Sequence, residues 1–174
     1  MNQFGLLQVY TGDGKGKTTA SLGLAFRACG HGFQVCMIQF MKDTGIYGEE
    51  KMATIIPGLT IIPCGRNDFV DFRAPAAIDI ELAHAGWEKA KAAIVSQKYN
   101  IVILDEINVA IYSGLLDKQE VLEFLRTQRG STEVVATGRW APQELIDIAD
   151  LVTEMKEIRH PFSQGMESRE GIDH

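Results

Sequence analysis

The chain has 174 residues, 45% hydrophobic and 23% charged, a globular balance that suits one folding unit with a continuous core and leaves no room for two ordinary domains. No apolar run is long enough to span a bilayer, and residues 1–10 lack the features of a secretory signal, so the reading from sequence is a cytoplasmic protein with no membrane role. A net charge of −6 excludes a general nucleic-acid binder, which needs basic surface to displace counterions. Cys29, Cys36 and Cys64 are odd in number and lack metal-ligand spacing, which reads as reduced packing residues.

Residues 5–10 form a short apolar run that breaks at Thr11-Gly12, the pattern of a buried parallel strand entering a tight loop. From 17 to 29, Ala20, Leu22, Leu24, Ala25 and Ala28 follow helical spacing, and Gly30 and Gly32 supply the stop. Residues 33–40 and 59–63 read as the second and third strands, with the charged stretch 42–58 between them as a mobile or substrate-facing loop. A long helix over 76–96 carries Ile80, Ala83, Trp87, Ala90 and Ile94 on one face, so Trp87 is assigned to the core. The fourth strand, 100–104, runs into Asp105-Glu106. A helix over 118–129, a strand over 132–137, a helix over 142–149 and a strand over 151–155 follow, and the polar tail wraps the domain. Strands alternating with helices predict a mainly parallel sheet of about six strands, helices on both faces and ligands at the carboxyl ends of the strands.

The strongest chemical signal is Thr11-Gly12-Asp13-Gly14-Lys15-Gly16-Lys17-Thr18-Thr19, set between a strand and a helix. Glycines let the backbone amides turn inward, Lys17 brings a cation to phosphate, and Thr18 offers a hydroxyl to magnesium, all at a helix N-terminus that favours anions. The fold class that follows is a single P-loop NTPase-like (RecA-like) α/β domain over 1–174. The first glycine of G-x-x-x-x-G-K-[ST] falls at Thr11, with Gly12 one residue late, so the triphosphate need not lie in the loop in the usual direction. Lys15 is a second cation near phosphate. Asp13 either braces the loop through backbone amides or needs a cation beside it.

Four apolar residues followed by Asp105 and Glu106 are what a buried strand shows when it presents carboxylates to a metal beside such a loop. Spacing does not decide between the two acids. Arg139, in Thr137-Gly138-Arg139 at the end of the fifth strand, enters the same crevice and can meet phosphate or developing charge.

These segments, with Ile38-Gln39-Phe40-Met41-Lys42, Leu104-Asp105-Glu106-Ile107-Asn108, residues 137–142, residues 150–155 and His160-Pro161-Phe162, resemble the ATP:corrinoid adenosyltransferases, in the cob(I)yrinic acid a,c-diamide adenosyltransferase family. The resemblance covers nearly the whole chain in order. It implies ATP bound in reversed polarity, attack by a Co(I) corrinoid on the ribose 5′ carbon, and departure of inorganic triphosphate. It further implies that Gly12, Asp13, Gly14, Lys15, Gly16, Lys17, Thr18 and Thr19 hold the triphosphate, that Lys17, Glu106 and Arg139 are catalytic, and that Thr18 and Glu106 bind magnesium, with Asp105 next in line. A homodimer and a flavoprotein reductant are implied partners. Longer members carry an N-terminal capping helix and a Phe-x-Trp pair. Here a few residues precede the first strand and the pair is replaced by Phe69-Val70-Asp71-Phe72, so the chain resembles a short form in which Phe69 meets the corrinoid and Phe72 stands in for the tryptophan. Two other readings stay open at this point: a P-loop kinase or NTPase, and a non-catalytic nucleotide- or corrinoid-binding module.

Overall fold

The alternation of apolar runs and helical segments is realised as a six-stranded, all-parallel sheet in the computed structural model, which describes residues 4–45, 47–68 and 70–173. In chain order the elements are β1 (Leu7–Thr11), α1 (Lys17–Gly30), β2 (Val35–Phe40), α2 (Gly48–Ala53), β3 (Leu59–Cys64), α3 (Ala77–Val95) and β4 (Ile101–Asp105). They continue with α4 (Ile107–Tyr112), α5 (Lys118–Thr127), β5 (Glu133–Thr137), α6 (Gln143–Asp147), β6 (Leu151–Glu154) and a 3₁₀ turn over Pro161–Gln164. The strand order β3-β2-β4-β5-β1-β6 puts β5 between the strand that feeds the phosphate loop and the strand that carries the acids. Thr137, at the end of β5, therefore stands between the two.

Strand alternation builds the two sides of the core. Val35, Met37, Ile101, Ile103 and Val135 face Ala25 and Ala28 of α1. Cys36, Ile38, Val102, Leu104 and Ala136 face the other way, into a cluster with Trp87 and Ala90 of α3, Ile107 of α4, Leu122 of α5 and Leu145 of α6. This is the single α/β domain of P-loop NTPase-like type expected, covered on both faces. Trp87 is buried and its indole N–H donates to Glu120 Oε1 at 2.8 Å, which supports its place in the core. Among the described residues no helix is long and apolar enough to cross a membrane.

Three expectations need correction. Ile80 is 37% exposed and does not belong to the buried stripe of α3. Asp79 is buried instead, held by Arg66 Nε, which donates to it at 2.7 Å, and by the Ala76 N–H, which donates to its carboxylate at 3.2 Å. The stretch 42–58 is not all loop: it contains α2, none of whose residues is buried and which therefore leaves no apolar period to read. Finally, α4 follows β4 directly. Its residues Ile107–Ile111 are all buried, so its sequence lacks the polar face that marks a surface helix.

Candidate active site

The phosphate loop turns because its glycines occupy positions closed to side chains. Gly12 and Gly16 have φ of 95° and 113°. A Cβ on Gly12 would lie 2.5 Å from the Met155 carbonyl oxygen, and one on Gly14 would lie 2.7 Å from the same atom. The Gly14 N–H donates to that oxygen at 2.7 Å, so the end of β6 forms the back of the loop. Lys17, the first residue of α1, is 7% exposed, and its ammonium donates to the carbonyls of Gly12 at 2.7 Å and Gly14 at 2.6 Å. Burial lowers its pKa, against the nearby carboxylates led by Glu106.

The loop is tied to the acids through Thr18. Its hydroxyl donates to Asp105 Oδ1 at 2.9 Å, and the Thr137 hydroxyl donates to the same oxygen at 2.8 Å. Thr137 in turn accepts the Glu106 N–H at 3.0 Å. Asp105 Oδ2 receives Lys42 Nζ at 2.9 Å and Gln39 Nε2 at 3.4 Å. Asp105 is thus wholly buried and engaged on both oxygens.

Glu106 has the opposite character. It adopts φ 65°, a conformation costly for a side-chain-bearing residue, and this turns its carboxylate into the open cavity. Burial, followed by the Asp105 charge, raises its pKa, while Lys42, Lys17 and Arg139 oppose the shift. Gly138, with φ 127°, passes so close that a Cβ would lie 3.2 Å from Glu106 Oε2. The next residue, Arg139, is exposed at the cavity mouth.

The cavity measures about 700 Å³. The loop contributes Gly14, Lys15, Gly16, Lys17, Thr18 and Thr19 to its wall, whereas Gly12 and the exposed Asp13 do not line it. Lys42, Tyr47, Gly48 and Glu49 form a second wall, and His160 and the tail segment 166–173 form a third. The Lys15 ammonium meets Asp173 at 2.8 Å. Beyond Arg139, Trp140 lies 4.6 Å from Tyr112 and 6.4 Å from Phe72 between ring centroids, and all three rings are more than 40% exposed.

The chain matches the family described as ATP:corrinoid adenosyltransferase BtuR/CobO/CobP over residues 3–174. The chain belongs to this family. Among similar proteins is the corrinoid adenosyltransferase of Sinorhizobium sp, 39% identical, with 97% of this chain and 80% of that protein aligned. The corrinoid adenosyltransferase CobA of Salmonella typhimurium is 32% identical, with 98% of this chain and 86% of that protein aligned. In fold alone the chain is similar to the flagellar accessory protein FlaH from Methanocaldococcus jannaschii, at a TM-score of 0.59 and 14% identity, covering 87% of this chain and 71% of FlaH.

Of the adenosyltransferase residues singled out from sequence, Lys15, Lys17, Thr18, Thr19, Glu106 and Arg139 converge on one cavity. Asp105 sits beneath it, and Phe69 lies outside the described residues. Sequence reasoning gave no individual role to Gln39, Lys42 or Glu49, placing the last two only within a mobile or substrate-facing loop, and did not read the tail as a cavity wall. Gln39 and Lys42 sit at the carboxyl end of β2, and that position was the available signal. Among the described residues no group of three or more His, Cys, Asp or Glu side chains could hold a metal ion. The oxygen donors at hand are the Thr18 hydroxyl, whose proton is given to Asp105 and whose lone pairs are free to coordinate, and the Glu106 carboxylate. That sparse, hard donor set fits magnesium, which keeps waters and substrate phosphates in its shell.

Proposed function

We propose that the chain transfers the 5′-deoxyadenosyl group of ATP to the Co(I) centre of a corrinoid, releasing inorganic triphosphate, in the making or salvage of adenosylcobalamin. The observation that carries this reading is the convergence of Lys17, Thr18, Glu106 and Arg139 on one cavity, in a chain that matches the adenosyltransferase family along its length.

The chemistry balances without an acid or base from the protein. The cobalt(I) electron pair forms the bond to the ribose 5′ carbon as the carbon–oxygen bond breaks, and the departing pair stays on the triphosphate oxygen. The nucleophile is supplied by the substrate, so the protein's work is positioning and charge stabilisation. The loop from Gly14 to Thr19 holds the triphosphate, and Lys17 and Arg139 stabilise the negative charge that grows on it. Thr18 and Glu106 would hold magnesium, which supplies further charge neutralisation at the leaving group. Asp105 orients Thr18 from behind. The exposed rings of Phe72, Tyr112 and Trp140, next to Arg139 in space or sequence, offer the apolar surface that a large flat macrocycle requires.

The test is an anaerobic incubation with magnesium-ATP and chemically reduced cob(I)alamin, following adenosylcobalamin by its light-sensitive absorbance and the phosphate product by ion chromatography. Stoichiometric adenosylcobalamin and triphosphate, both lost in Lys17→Ala, is the expected result. Release of ADP with unchanged corrinoid would identify an NTPase instead, and ATP binding without turnover a binding module.

A further inference from the structure

Lys42 stands in the cavity wall through an unusual backbone turn. Directly after β2, Met41 takes φ 60° and its N–H donates to the Cys64 carbonyl at 3.1 Å. Gly65 then passes so near that a Cβ would lie 2.4 Å from the Lys42 nitrogen. The turn carries the Lys42 side chain back to the acids, where it is 14% exposed. Its ammonium lies 2.9 Å from Asp105 Oδ2, 3.5 Å from Glu49 Oε1 and 4.8 Å from the Tyr47 ring centroid. Burial works to remove its proton, yet Asp105, then Glu49 and Glu106, hold it charged, above the ordinary lysine value.

Its two carboxylate partners differ in how firmly they are fixed. Asp105 is immobilised by Thr18, Thr137 and Gln39. Glu49 belongs to α2, a six-residue helix with no buried residue; its contact with Lys42 is the longer one, and the same oxygen also accepts Gln39 Nε2 at 3.0 Å. A triphosphate together with the Glu106 carboxylate carries more negative charge than Lys17, Arg139 and the magnesium held at Thr18 and Glu106 balance, and Lys15 is already paired with Asp173. The cavity therefore calls for another cation, and the wall of Lys42, Tyr47, Gly48 and Glu49 supplies one.

We infer that Lys42 is a further triphosphate-binding residue, which keeps Asp105 as its fixed partner and exchanges the Glu49 carboxylate for a phosphate oxygen when nucleotide enters. The inference rests on the reading that the triphosphate occupies this cavity. It makes Glu49 a placeholder anion that competes with substrate, and α2 a segment released as ligand arrives.

Calorimetric titration of the full chain with magnesium and inorganic tripolyphosphate, at fixed ionic strength, tests both levels. Wild-type protein that does not bind tripolyphosphate removes the underlying reading and this inference with it. With wild-type binding intact, Glu49→Gln is expected to tighten binding several-fold, because the competing charge is gone while the amide can still reach Gln39. Lys42→Met is expected to weaken binding about tenfold or more. In the Lys42→Met background the gain from Glu49→Gln should disappear, since a general field effect would survive there and a direct exchange would not. Unchanged or weaker binding by Glu49→Gln, unchanged binding by Lys42→Met, or a gain that persists in the double variant each overturns the inference alone. Should Lys42→Met fail to fold because Asp105 is left unpaired, Glu49→Gln in the wild-type background decides.

Discussion

Thr18 and Asp105, 87 residues apart in the chain, are joined by a hydrogen bond of 2.9 Å that fastens the first turn of α1 to the end of β4. The bond crosses over β5, whose Thr137 donates to the same carboxylate oxygen. Asp105 is therefore the knot between the phosphate loop, the acid strand and the cation at the end of β2.

Removing that knot should cost stability before it costs chemistry. Asp105→Ala leaves the Lys42 ammonium buried without its principal partner and two hydroxyls without an acceptor. Breaking a buried ion pair from one side costs about 3–5 kcal/mol, which urea denaturation would register as a lower midpoint at similar slope. Asp105→Asn, which retains an acceptor for Thr18 but not the charge for Lys42, should fall between this variant and wild type.

The loop glycines make a second, contrasting prediction. Gly12→Ala puts a methyl group 2.5 Å from a backbone oxygen at φ 95°, and Gly14→Ala puts one 2.7 Å from the same oxygen. The end of β6 has to move in either case, so ATP affinity should drop at least tenfold with about 1–3 kcal/mol of destabilisation. Gly23, within α1, has no atom near its would-be Cβ. Gly23→Ala should instead stabilise the protein by about 0.5–1 kcal/mol and leave ATP affinity unchanged. Thermal melts and ATP titrations on the three variants separate strain at the loop from helix propensity.

Much of this arrangement was legible because local and global signals agreed. All six strands were readable from apolar runs ending in polar or glycine residues, and the glycines of the loop from Gly12 to Thr19 declared its conformation. What stayed hidden depends on contacts between distant residues. The burial of Asp79 requires Arg66 from another element, and no periodicity encodes it. The division of labour between Asp105 and Glu106 rests on a left-handed φ at Glu106, which two adjacent acids cannot reveal. The individual role of Lys42 within its loop stayed hidden because its direction is set by Met41 and Gly65 at the ends of neighbouring strands.

Glu106→Gln separates the two acids functionally. The substitution keeps shape and removes the only one of the pair that faces the cavity. Adenosyl transfer should fall at least a hundredfold, and the magnesium concentration for half-maximal ATP binding should rise, while the urea midpoint of the ligand-free protein holds or increases because a buried charge is gone. A lower midpoint with unchanged magnesium dependence would mean that Glu106 is structural.

The Arg66–Asp79 contact predicts a pH effect at a distance from the phosphate loop. Hydrogen bonds from Arg66 hold the Asp79 carboxyl below its usual range, burial pulls the other way, and the Ala76 N–H adds to the lowering. A carboxyl with a depressed folded-state pKa contributes stability above its unfolded value, near 3.9, and that contribution is lost as pH falls through the folded value. Asp79→Asn should therefore be less stable than wild type at pH 7, and the gap should close as pH drops below about 3.9. Arg66→Met should behave alike, since it removes the donor from the other side. Urea midpoints for both variants from pH 7 to about 2.5 give the comparison. Parallel curves with no convergence in acid would mean that the start of α3 is held by packing and not by this ion pair.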